Sequence, residues 1–322
     1  MNAFSTVVVI GGSGFIGSHL CELLVDMECR VYCLDNFATS GAGNVAHLID
    51  RPGFALVEHD INEPFDLPGR IDLVVHLASL PSPVDYLARP VEALRVGSLG
   101  TLNALDLARA KGARCVYASS SEVYGDPSIH PQIESYHGNV NPMGPRSSYD
   151  EAKRFGEAAC EAYRKTYGVD TVVLRIFNTY GRRMRARDGR LVPTFIRQAL
   201  AGRPITVHGS GRQTRSLCHV DDTVGAVLKA ASAACSGPMN IGNPRELPVV
   251  GIAELIRELC GSRSPIQHVD ARDEDPARRR PDISLARRAL GWEPSVDLRT
   301  GLAETISWFA GSPSLAAAIT DG

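Results

Sequence analysis

The sequence predicts an α/β fold with a doubly wound parallel sheet, and two observations lead to that prediction. Short apolar runs recur along the first half of the chain and lack the strict alternation of a half-exposed strand. Such runs suit strands that are buried on both faces of a parallel sheet. Longer segments with helical spacing of apolar residues separate the runs, which gives a strand–helix–strand rhythm.

Each predicted element follows from this rhythm. The predicted strands are VVVI (7–10), RVYCL (30–34), FALVEHD (54–60), DLVVHLA (72–78), RCVYASS (114–120) and TVVLRIF (171–177). The predicted helices are IGSHLCELLVDM (16–27), VEALRVGSLGTLNALDLARAK (91–111) and SYDEAKRFGEAACEAYRKTYG (148–168). After residue 178 the rhythm loosens into mixed segments rich in Arg, Gly and Pro.

This change predicts two regions of the chain. We expect residues 1–178 to form a Rossmann domain, to which a later segment at about 217–242 returns. Residues 179–310 are expected to form mainly a smaller substrate-binding region. The last residues, GSPSLAAAITDG at 311–322, are small and polar enough to form a frayed tail.

Composition and charge exclude several classes of partner. Of the 322 residues 44% are hydrophobic, and 34 Lys and Arg nearly balance 36 Asp and Glu. Such a surface is not typical of nucleic-acid or membrane binding, so we expect neither partner. Scattered cysteines with no CxxC pair near histidines predict no metal site. No apolar stretch reaches the roughly 18 residues of a membrane span and no signal-peptide pattern is present, so the cytoplasm is the predicted location.

A glycine-rich stretch, GGSGFIGS at 11–18, follows the first predicted strand and opens the first helix. Its glycines fit G-x-x-G-x-x-G and G-x-G-x-x-G, so spacing leaves the subtype open. Either way, the missing side chains let backbone N–H groups and the helix N-terminus approach a pyrophosphate. Asp35 ends the second strand, where its carboxylate can accept hydrogen bonds from an adenosine ribose. Because a carboxylate there would repel a 2′-phosphate, we predict NAD rather than NADP.

The stretch GPRSSYDEAKR places Tyr149 and Lys153 four residues apart, on one face of a helix. A phenol has an ordinary pKa near 10, so it is a poor base at neutral pH unless a cation stabilises the phenolate. Lys153 supplies such a cation, and lowering the phenol pKa by roughly three units takes about 4 kcal/mol. Alone, Y-x-x-x-K is a common surface pattern. After a complete dinucleotide site it predicts a catalytic pair.

The predicted NAD site therefore combines the glycine turn, the ends of the second, third and fourth strands, and this helical pair. Its residues are Gly11, Gly14, Phe15, Ile16, Gly17, Asp35, Asn36, Asp60, Ile61, Leu77, Ala78, Tyr149 and Lys153.

From GGSGFIGSHL through SSSEVYG and YDEAK to LGWEP, the sequence resembles the extended short-chain dehydrogenase/reductases, which oxidise and modify nucleotide sugars. The resemblance runs over nearly the whole chain. It implies that Ser120, at the end of the fifth strand, joins Tyr149 and Lys153 in catalysis. Ser119 is interpreted as structural.

Within that family the sequence is similar to the UDP-glucuronate decarboxylases. The segments SSSEVYGDPSIHPQ, YHGNVNPMGPRSSYDEAKR, RIFNTYG, DGR, GSGRQTR and RRRPDI occur in the order typical of that subfamily. A 4,6-dehydratase carries Asp-Glu after the catalytic Ser, whereas this chain has Ser121 and Glu122. The resemblance implies an NAD-dependent carboxy-lyase that converts UDP-glucuronate, through a UDP-4-keto intermediate, to UDP-xylose, UDP-4-keto-pentose or both.

The resemblance also implies roles for individual residues. At the carboxylate end of the sugar it assigns Ser121, Glu122 and Arg279, with Glu122 and Arg279 expected to orient the carboxylate and handle protons rather than clamp it. The nucleotide-sugar residues that it implies are Tyr86, Asn178, His208, Gln213 and Arg215. It further implies a homodimer formed through helices around 90–111 and 147–168.

Several positions depart from the subfamily pattern. The subfamily segment ASPASP reads ASLPSP here, which brings a bulky Leu80 and a displaced proline near the expected sugar pocket. Asp85 stands where Asn is usual, and Gly97 replaces an Asn expected near the cofactor. The loop after the second strand, 39–42, lacks a basic pair. Weaker cofactor binding would follow, with escape of NADH or of the 4-keto-pentose.

Two rival functions stay open from the sequence. A nucleotide-sugar 4-epimerase shares the C4 chemistry, but the set of Ser121, Glu122 and Arg279 argues against it. An NAD-sensing regulator would keep the fold without turnover, and the presence of Ser120, Tyr149 and Lys153 argues against that.

Overall fold

The structure is a computed structural model that describes residues 4–271 and 278–311. Its strands are β1 (Thr6–Ile10), β2 (Arg30–Asp35), β3 (Phe54–Glu58), β4 (Leu73–His76), β5 (Arg114–Ser120), β6 (Thr171–Ile176), β7 (Thr179–Tyr180), β8 (Ile205–His208), β9 (Thr214–Ser216), β10 (Cys218–His219), β11 (Pro238–Ile241), β12 (Glu246–Pro248), β13 (Ile266–Val269) and β14 (Arg278–Arg279). Its α-helices are α1 (Phe15–Asp26), α2 (Pro83–Ala88), α3 (Pro90–Arg95), α4 (Thr101–Lys111), α5 (Ser147–Tyr167), α6 (Leu191–Leu200), α7 (Val220–Ser232), α8 (Val249–Leu259), α9 (Ser284–Leu290) and α10 (Leu298–Gly311).

Seven parallel strands form the main sheet, in the order β3-β2-β1-β4-β5-β6-β11. Apolar cores cover both faces of this sheet, and residues such as Val8 and Val116 in its central strands are fully buried. The predicted doubly wound parallel fold is therefore confirmed. The strand order reverses between β1 and β4, and in such sheets ligands bind at the carboxyl ends of the strands on either side of that point.

The six strands read from the sequence lie where they were expected, with ends that differ by at most two residues. The run predicted as 114–120 is strand β5, Arg114–Ser120, and the run predicted as 72–78 is shorter, at Leu73–His76. The seventh strand, β11, comes from the part of the chain expected to return to the first domain, and it pairs with β6.

The helix predicted over 91–111 is interrupted. A π-helical turn at Val96–Gly100 separates α3 from α4. Gly97 lies in this turn against α5, where an added Cβ would overlap the Cβ of Ala152. The absence of a side chain at Gly97 thus allows this turn to pack closely against α5, beside the predicted catalytic lysine. A larger side chain would push the turn and α5 apart.

A further apolar core lies in the C-terminal half, where α6, α8 and α10 pack around small sheets. Strand β8 pairs with β13, and β9 pairs with both β12 and β14. The domain boundary at 178/179 stays a prediction. Residues 312–322 of the predicted tail lie outside the described residues, and Gly311 ends α10.

Within residues 4–271 and 278–311, every helix is too short or too polar to cross a lipid bilayer. The cellular location stays a prediction.

Candidate active site

One cleft of about 460 Å³ lies between the carboxyl ends of the sheet strands and the C-terminal half of the chain. This volume is typical of ligand pockets. The structure brings every residue of the predicted site to the lining of this cleft. They are Gly11, Gly14, Phe15, Ile16, Gly17, Asp35, Asn36, Asp60, Ile61, Leu77, Ala78, Tyr86, Ser120, Ser121, Glu122, Tyr149, Lys153, Asn178, His208, Gln213, Arg215 and Arg279.

The glycine turn between β1 and α1 resolves the subtype that spacing left open. Gly11 has a φ of +80°, and a Cβ there would lie 2.7 Å from the backbone nitrogen of Ala78. Gly14 faces the cleft, since beyond the turn itself its Cβ would meet only Ser40 Oγ, at 4.0 Å. Gly12 instead faces the core, where a Cβ would strike Cys33. The motif is therefore G-x-x-G-x-x-G, and the space in front of Gly14 fits a pyrophosphate at the start of α1.

Asp35 is fixed beside this turn. Its Oδ2 accepts a hydrogen bond from Ser13 N at 3.0 Å, and its Oδ1 accepts one from Phe37 N at 2.9 Å. Each carboxylate oxygen keeps a further lone pair for a ribose hydroxyl. The glycine turn and this acid together fit a dinucleotide without a 2′-phosphate.

A basic side chain that sequence analysis missed reaches the same end of the cleft. Arg183, in the loop after β7, lines the cleft and donates from Nη2 to Glu22 Oε2 at 2.6 Å. Its φ of +65° is unusual for a residue with a side chain. Sequence analysis looked for a basic residue in the loop at 39–42, whereas the fold supplies one from a distant segment.

Ser120, Tyr149 and Lys153 meet where β5 ends against α5. The Ser120 hydroxyl lies beside the Tyr149 phenol, and Lys153 Nζ lies 5.8 Å from the centre of the Tyr149 ring. Lys153 Nζ donates to the carbonyl of Ala118 at 2.8 Å. The ring of Tyr86 stacks on that of Tyr149 with centroids 5.4 Å apart and 14° between the planes. These contacts fix the phenol's orientation.

Burial changes the proton affinity of this pair. It raises the pKa of Tyr149, which the hydrogen bond with Ser120 opposes, and it lowers the pKa of Lys153 to about 8. Both shifts follow from the cost of charging a group in a low-dielectric site. Burial therefore opposes the predicted lowering of the phenol pKa.

Glu122 lies between two arginines. It forms ion pairs with Arg279, which comes from β14, and with Arg146, which immediately precedes α5. Arg279 also donates to Ser121 Oγ at 3.4 Å and to the carbonyl of Gly125 at 2.9 Å. Although burial opposes ionisation, the two guanidinium groups hold the pKa of Glu122 well below its ordinary value. Ser121, Glu122 and Arg279 therefore form one cluster, as the sequence predicted.

The structure adds Arg146 and Asp150 to this cluster. Asp150 is buried behind Glu122, and burial, together with the charge of Glu122, raises its pKa to about 7. Both residues stand in the stretch GPRSSYDEAKR that sequence analysis singled out. Sequence analysis did not predict their roles, because the spacing of Tyr149 and Lys153 gives no information about contacts between α5 and the turn after β5 that carries Glu122.

Apart from Tyr86 on α2, the residues expected to hold the nucleotide sugar come from the C-terminal half of the chain and the end of β6. Gln213 Nε2 donates to the carbonyl of His208 at 2.7 Å, which ties two of them together. Arg215 lies on β9, and β14 pairs with that strand so that Arg279 stands beside Arg215. This pairing carries the two arginines to the same side of the cleft.

Two of the departures from the subfamily pattern acquire a physical reason. Leu80 is buried in the core beneath the sheet and lines the cleft. Asp85 is also buried, and it forms an ion pair with Arg185 from the loop after β7. A carboxylate at position 85 thus fastens that loop across the cleft, which an amide would do more weakly.

Comparison with known proteins agrees with this architecture. Residues 7–242 match the model of the NAD dependent epimerase/dehydratase family, and the chain belongs to that family. It is 47% identical to UDP-glucuronic acid decarboxylase 1 of Danio rerio, over 94% of this chain and 72% of that protein. It is 46% identical to UDP-glucuronic acid decarboxylase 3 of Arabidopsis thaliana, over 92% of this chain and 86% of that one.

Among solved structures it resembles UDP-glucuronic acid 4-epimerase from Bacillus cereus in complex with UDP-glucuronic acid and NAD. The TM-score is 0.82 and the identity 26%, covering 94% of this chain and 98% of that one.

The raised pKa of Asp150 gives a testable dependence of stability on pH. An unfolded Asp has a pKa near 3.9, so between about pH 4 and pH 7 the unfolded state binds fewer protons than the folded state, and Asp150 makes the fold less stable as the pH rises. We therefore expect the melting temperature of Asp150→Asn to rise relative to the wild type between pH 4 and pH 7. Glu151→Gln, which removes a half-exposed neighbouring carboxylate, is the matched control. A difference for Asp150→Asn that stays constant over this range would contradict the assignment.

Proposed function

We propose that this protein is an NAD-dependent UDP-glucuronate decarboxylase that forms UDP-xylose. The observation that carries the proposal is the cluster at the end of β5, where Ser121 and Glu122 meet Arg279 in the cleft that Tyr149 also lines. The curated relatives named above are UDP-glucuronic acid decarboxylases, which supports the same activity.

The glycine turn, Asp35 and the ends of β3 and β4 would hold NAD. When bound, NAD⁺ accepts the hydride from C4 of the sugar and returns it at the end of the cycle. Tyr149 takes the proton from the C4 hydroxyl, and Ser120 keeps the phenol directed toward that atom. Lys153 in its protonated form stabilises the phenolate from its place on the next turn of α5.

Once C4 is a ketone, the C6 carboxylate is β to it. The bond between C5 and C6 then breaks, CO₂ leaves, and its bonding electrons pass onto the C4 oxygen as an enolate. The hydroxyls of Tyr149 and Ser120 stabilise that oxygen by hydrogen bonding. A proton added at C5 restores the ketone, and reduction at C4 gives UDP-xylose.

Glu122 keeps the two arginines from clamping the substrate. A free Arg pair would bind the C6 carboxylate tightly and stabilise the ground state more than the transition state for loss of CO₂. Because Arg146 and Arg279 are both paired with Glu122, they offer the carboxylate a weaker positive field. The two guanidinium groups hold the pKa of Glu122 well below its ordinary value, so as an anion it balances their charge and orients the substrate carboxylate.

Asn178, His208, Gln213 and Arg215 would bind the UDP group. Arg215 carries the planar donor fork that suits phosphate oxygens. Asn178 follows β6, so it enters the cleft from the sheet, whereas the other three residues approach from the opposite side.

The composition of the loop at 39–42 favours release of UDP-4-keto-pentose as a second product. It brings no basic side chain to the NAD end, and Arg183 there is already paired with Glu22. Weaker retention of the reduced cofactor would let some UDP-4-keto-pentose leave before C4 is reduced.

The function is tested with purified protein, UDP-glucuronate and NAD⁺. We expect release of CO₂ and formation of UDP-xylose, followed by mass spectrometry and NMR of the product. Inversion at C4 with the carboxylate retained would identify a 4-epimerase. Binding of NAD without any product would identify a regulator.

The role of Glu122 is tested by Glu122→Gln. This change frees Arg146 and Arg279 to bind the substrate carboxylate, so kcat should fall on the order of 10²-fold while KM stays equal or falls. Glu151→Gln on α5, away from the cleft, is the control. Turnover of Glu122→Gln at the wild-type rate would rule out this role.

We also propose that the protein is a homodimer formed through α3 and α5. Their outer faces expose Val91, Leu94 and Phe155, and Leu99 lies on the turn that follows α3. Such a contiguous apolar patch on a folded protein marks an interaction surface, and a two-fold axis would cover it with its own copy.

Phe155→Asp should therefore convert the dimer into a monomer with about half the mass in analytical ultracentrifugation, because a buried unpaired carboxylate opposes association. Ile49→Asp, an equally exposed apolar position elsewhere, is the control and should leave the mass unchanged. An unchanged mass for Phe155→Asp would exclude this interface.

A further inference from the structure

Arg279 is held in place by its neighbours in the chain. Its guanidinium faces Glu122, while its backbone carbonyl accepts a hydrogen bond from Ser216 Oγ at 3.1 Å. The next residue, Arg280, is fastened at both of its backbone groups by Gln132. Gln132 N donates to the carbonyl of Arg280 at 2.9 Å, and Gln132 Oε1 accepts from Arg280 N at 2.8 Å. Gln132 thus fixes the backbone immediately after Arg279.

Gln132 is itself tied to the main sheet through Asn240 on β11. Asn240 Nδ2 donates to the carbonyl of Gln132 at 3.0 Å and to that of Asp282 at 3.1 Å. Gln132 also accepts at its carbonyl from Asp282 N at 2.8 Å. Gln132 and Asn240 are both almost completely buried, so each of these hydrogen bonds lies in a low-dielectric interior.

The connection continues to the turn that carries Glu122. Tyr124, two residues after Glu122, donates from its hydroxyl to Asn240 Oδ1 at 2.7 Å. The Tyr124 oxygen in turn accepts from Arg175 Nη1 at 2.9 Å. Both ends of the ion pair, the turn with Glu122 and the strand with Arg279, are therefore attached to Asn240.

The far end of the connection reaches the strand that carries the predicted catalytic serine. Arg175 forms a two-point ion pair with Glu157, at 2.8 Å and 2.7 Å. Ser119 Oγ donates to Glu157 Oε1 at 2.6 Å. Ser119 is thus structural, and the polar chain consists of Ser119, Glu157, Arg175, Tyr124, Asn240 and Gln132.

We propose that Gln132, Asn240 and Tyr124 are positioning residues for the carboxylate end of the cleft. They lie behind the cleft and act through Arg279 and Glu122, which they hold at a fixed separation. This inference rests on the proposed function, since it assigns the three residues to the loss of CO₂. The binding of UDP and the C4 contacts of Tyr149 depend on other elements.

There is a physical reason to expect that disturbing these residues affects loss of CO₂ but not the binding of UDP. Breaking one link leaves a buried donor or acceptor without a partner and lets the backbone after Arg279 shift. A shift of about 1 Å at a reacting group can lower a rate about 10²-fold while substrate binding elsewhere persists. The expected signature is a loss in kcat for UDP-glucuronate without a matching loss in affinity for UDP-xylose, which has no carboxylate.

Two variants test the proposal. Gln132→Leu removes the acceptor for Arg280 N at nearly constant volume, and Tyr124→Phe removes only the hydroxyl that joins Asn240 to Arg175. We expect kcat for CO₂ release to fall about 10- to 100-fold in Gln132→Leu and less in Tyr124→Phe. The dissociation constant of UDP-xylose, measured by calorimetry, should change less than about twofold, because the UDP and C4 contacts are untouched.

Tyr180→Phe is the matched control. Tyr180 is buried to the same extent as Tyr124 but lies in the C-terminal core, where its hydroxyl makes one long hydrogen bond of 3.5 Å to Leu298. Its kcat should stay at the wild-type level. Wild-type kcat in both test variants would overturn the proposal, and so would a loss of UDP-xylose affinity equal to the loss in kcat.

A second measurement does not depend on activity and separates this inference from the proposed function. If the wild type releases no CO₂, the function fails, and the positioning contact is then judged by a double-mutant cycle in urea unfolding between Gln132→Leu and Glu122→Gln. Because Gln132 acts through the pairing of Arg279 with Glu122, the two losses in stability should be coupled. Additive losses would overturn the positioning role.

Discussion

The ion pairs that Glu122 makes with Arg146 and Arg279 are the constraint on which the cleft depends. A carboxylate whose side chain is only 15% exposed is stable only if positive groups compensate its charge. Those groups come from two distant parts of the chain, the start of α5 and strand β14. Glu122 lies on the turn after β5. Its ion pairs therefore connect the sheet to the helix that carries Tyr149 and to the C-terminal half of the chain.

The same turn divides the chemistry of the cleft into two ends. Ser120 points toward the Tyr149 phenol, while Glu122, two residues later, faces the arginines. A sugar bound between them would present C4 to one end and its carboxylate to the other. Positive charge is balanced at the carboxylate end, so the substrate is oriented there without the tight binding that would oppose loss of CO₂. The polar chain behind the cleft fixes the position of Glu122 and Arg279 relative to the strand that carries Ser120.

Much of the fold and of the site could be predicted from the sequence, because both depend on local patterns. The β-branched runs predicted six strands of the sheet, helical spacing predicted the pair of Tyr149 and Lys153, and the family resemblance implied Ser120. The π-helical turn at Val96–Gly100 was missed, since helical periodicity does not reveal a close approach between helices. Arg146 and Arg183 were also missed, because their partners are distant in sequence and no local pattern links them.

The choice between the two glycine motifs, G-x-x-G-x-x-G and G-x-G-x-x-G, also depended on contacts that are distant in sequence. Gly11 and Gly12 are adjacent and chemically identical, so spacing treats them alike. Only the packing of Gly12 against Cys33 shows which of the two faces the cleft. Long-range packing therefore decided which of the two glycines faces the cleft.

The central claim is that Glu122 is an anion held between two guanidinium groups, and its carboxyl carbon can be observed directly. In protein labelled with ¹³C at the Glu side-chain carboxyl, the Glu122 signal is assigned as the one that disappears in Glu122→Gln. The account predicts that its chemical shift stays in the range of an ionised carboxylate from pH 8 down to about pH 4. A titration midpoint at or above the ordinary Glu pKa of about 4.3 would contradict it.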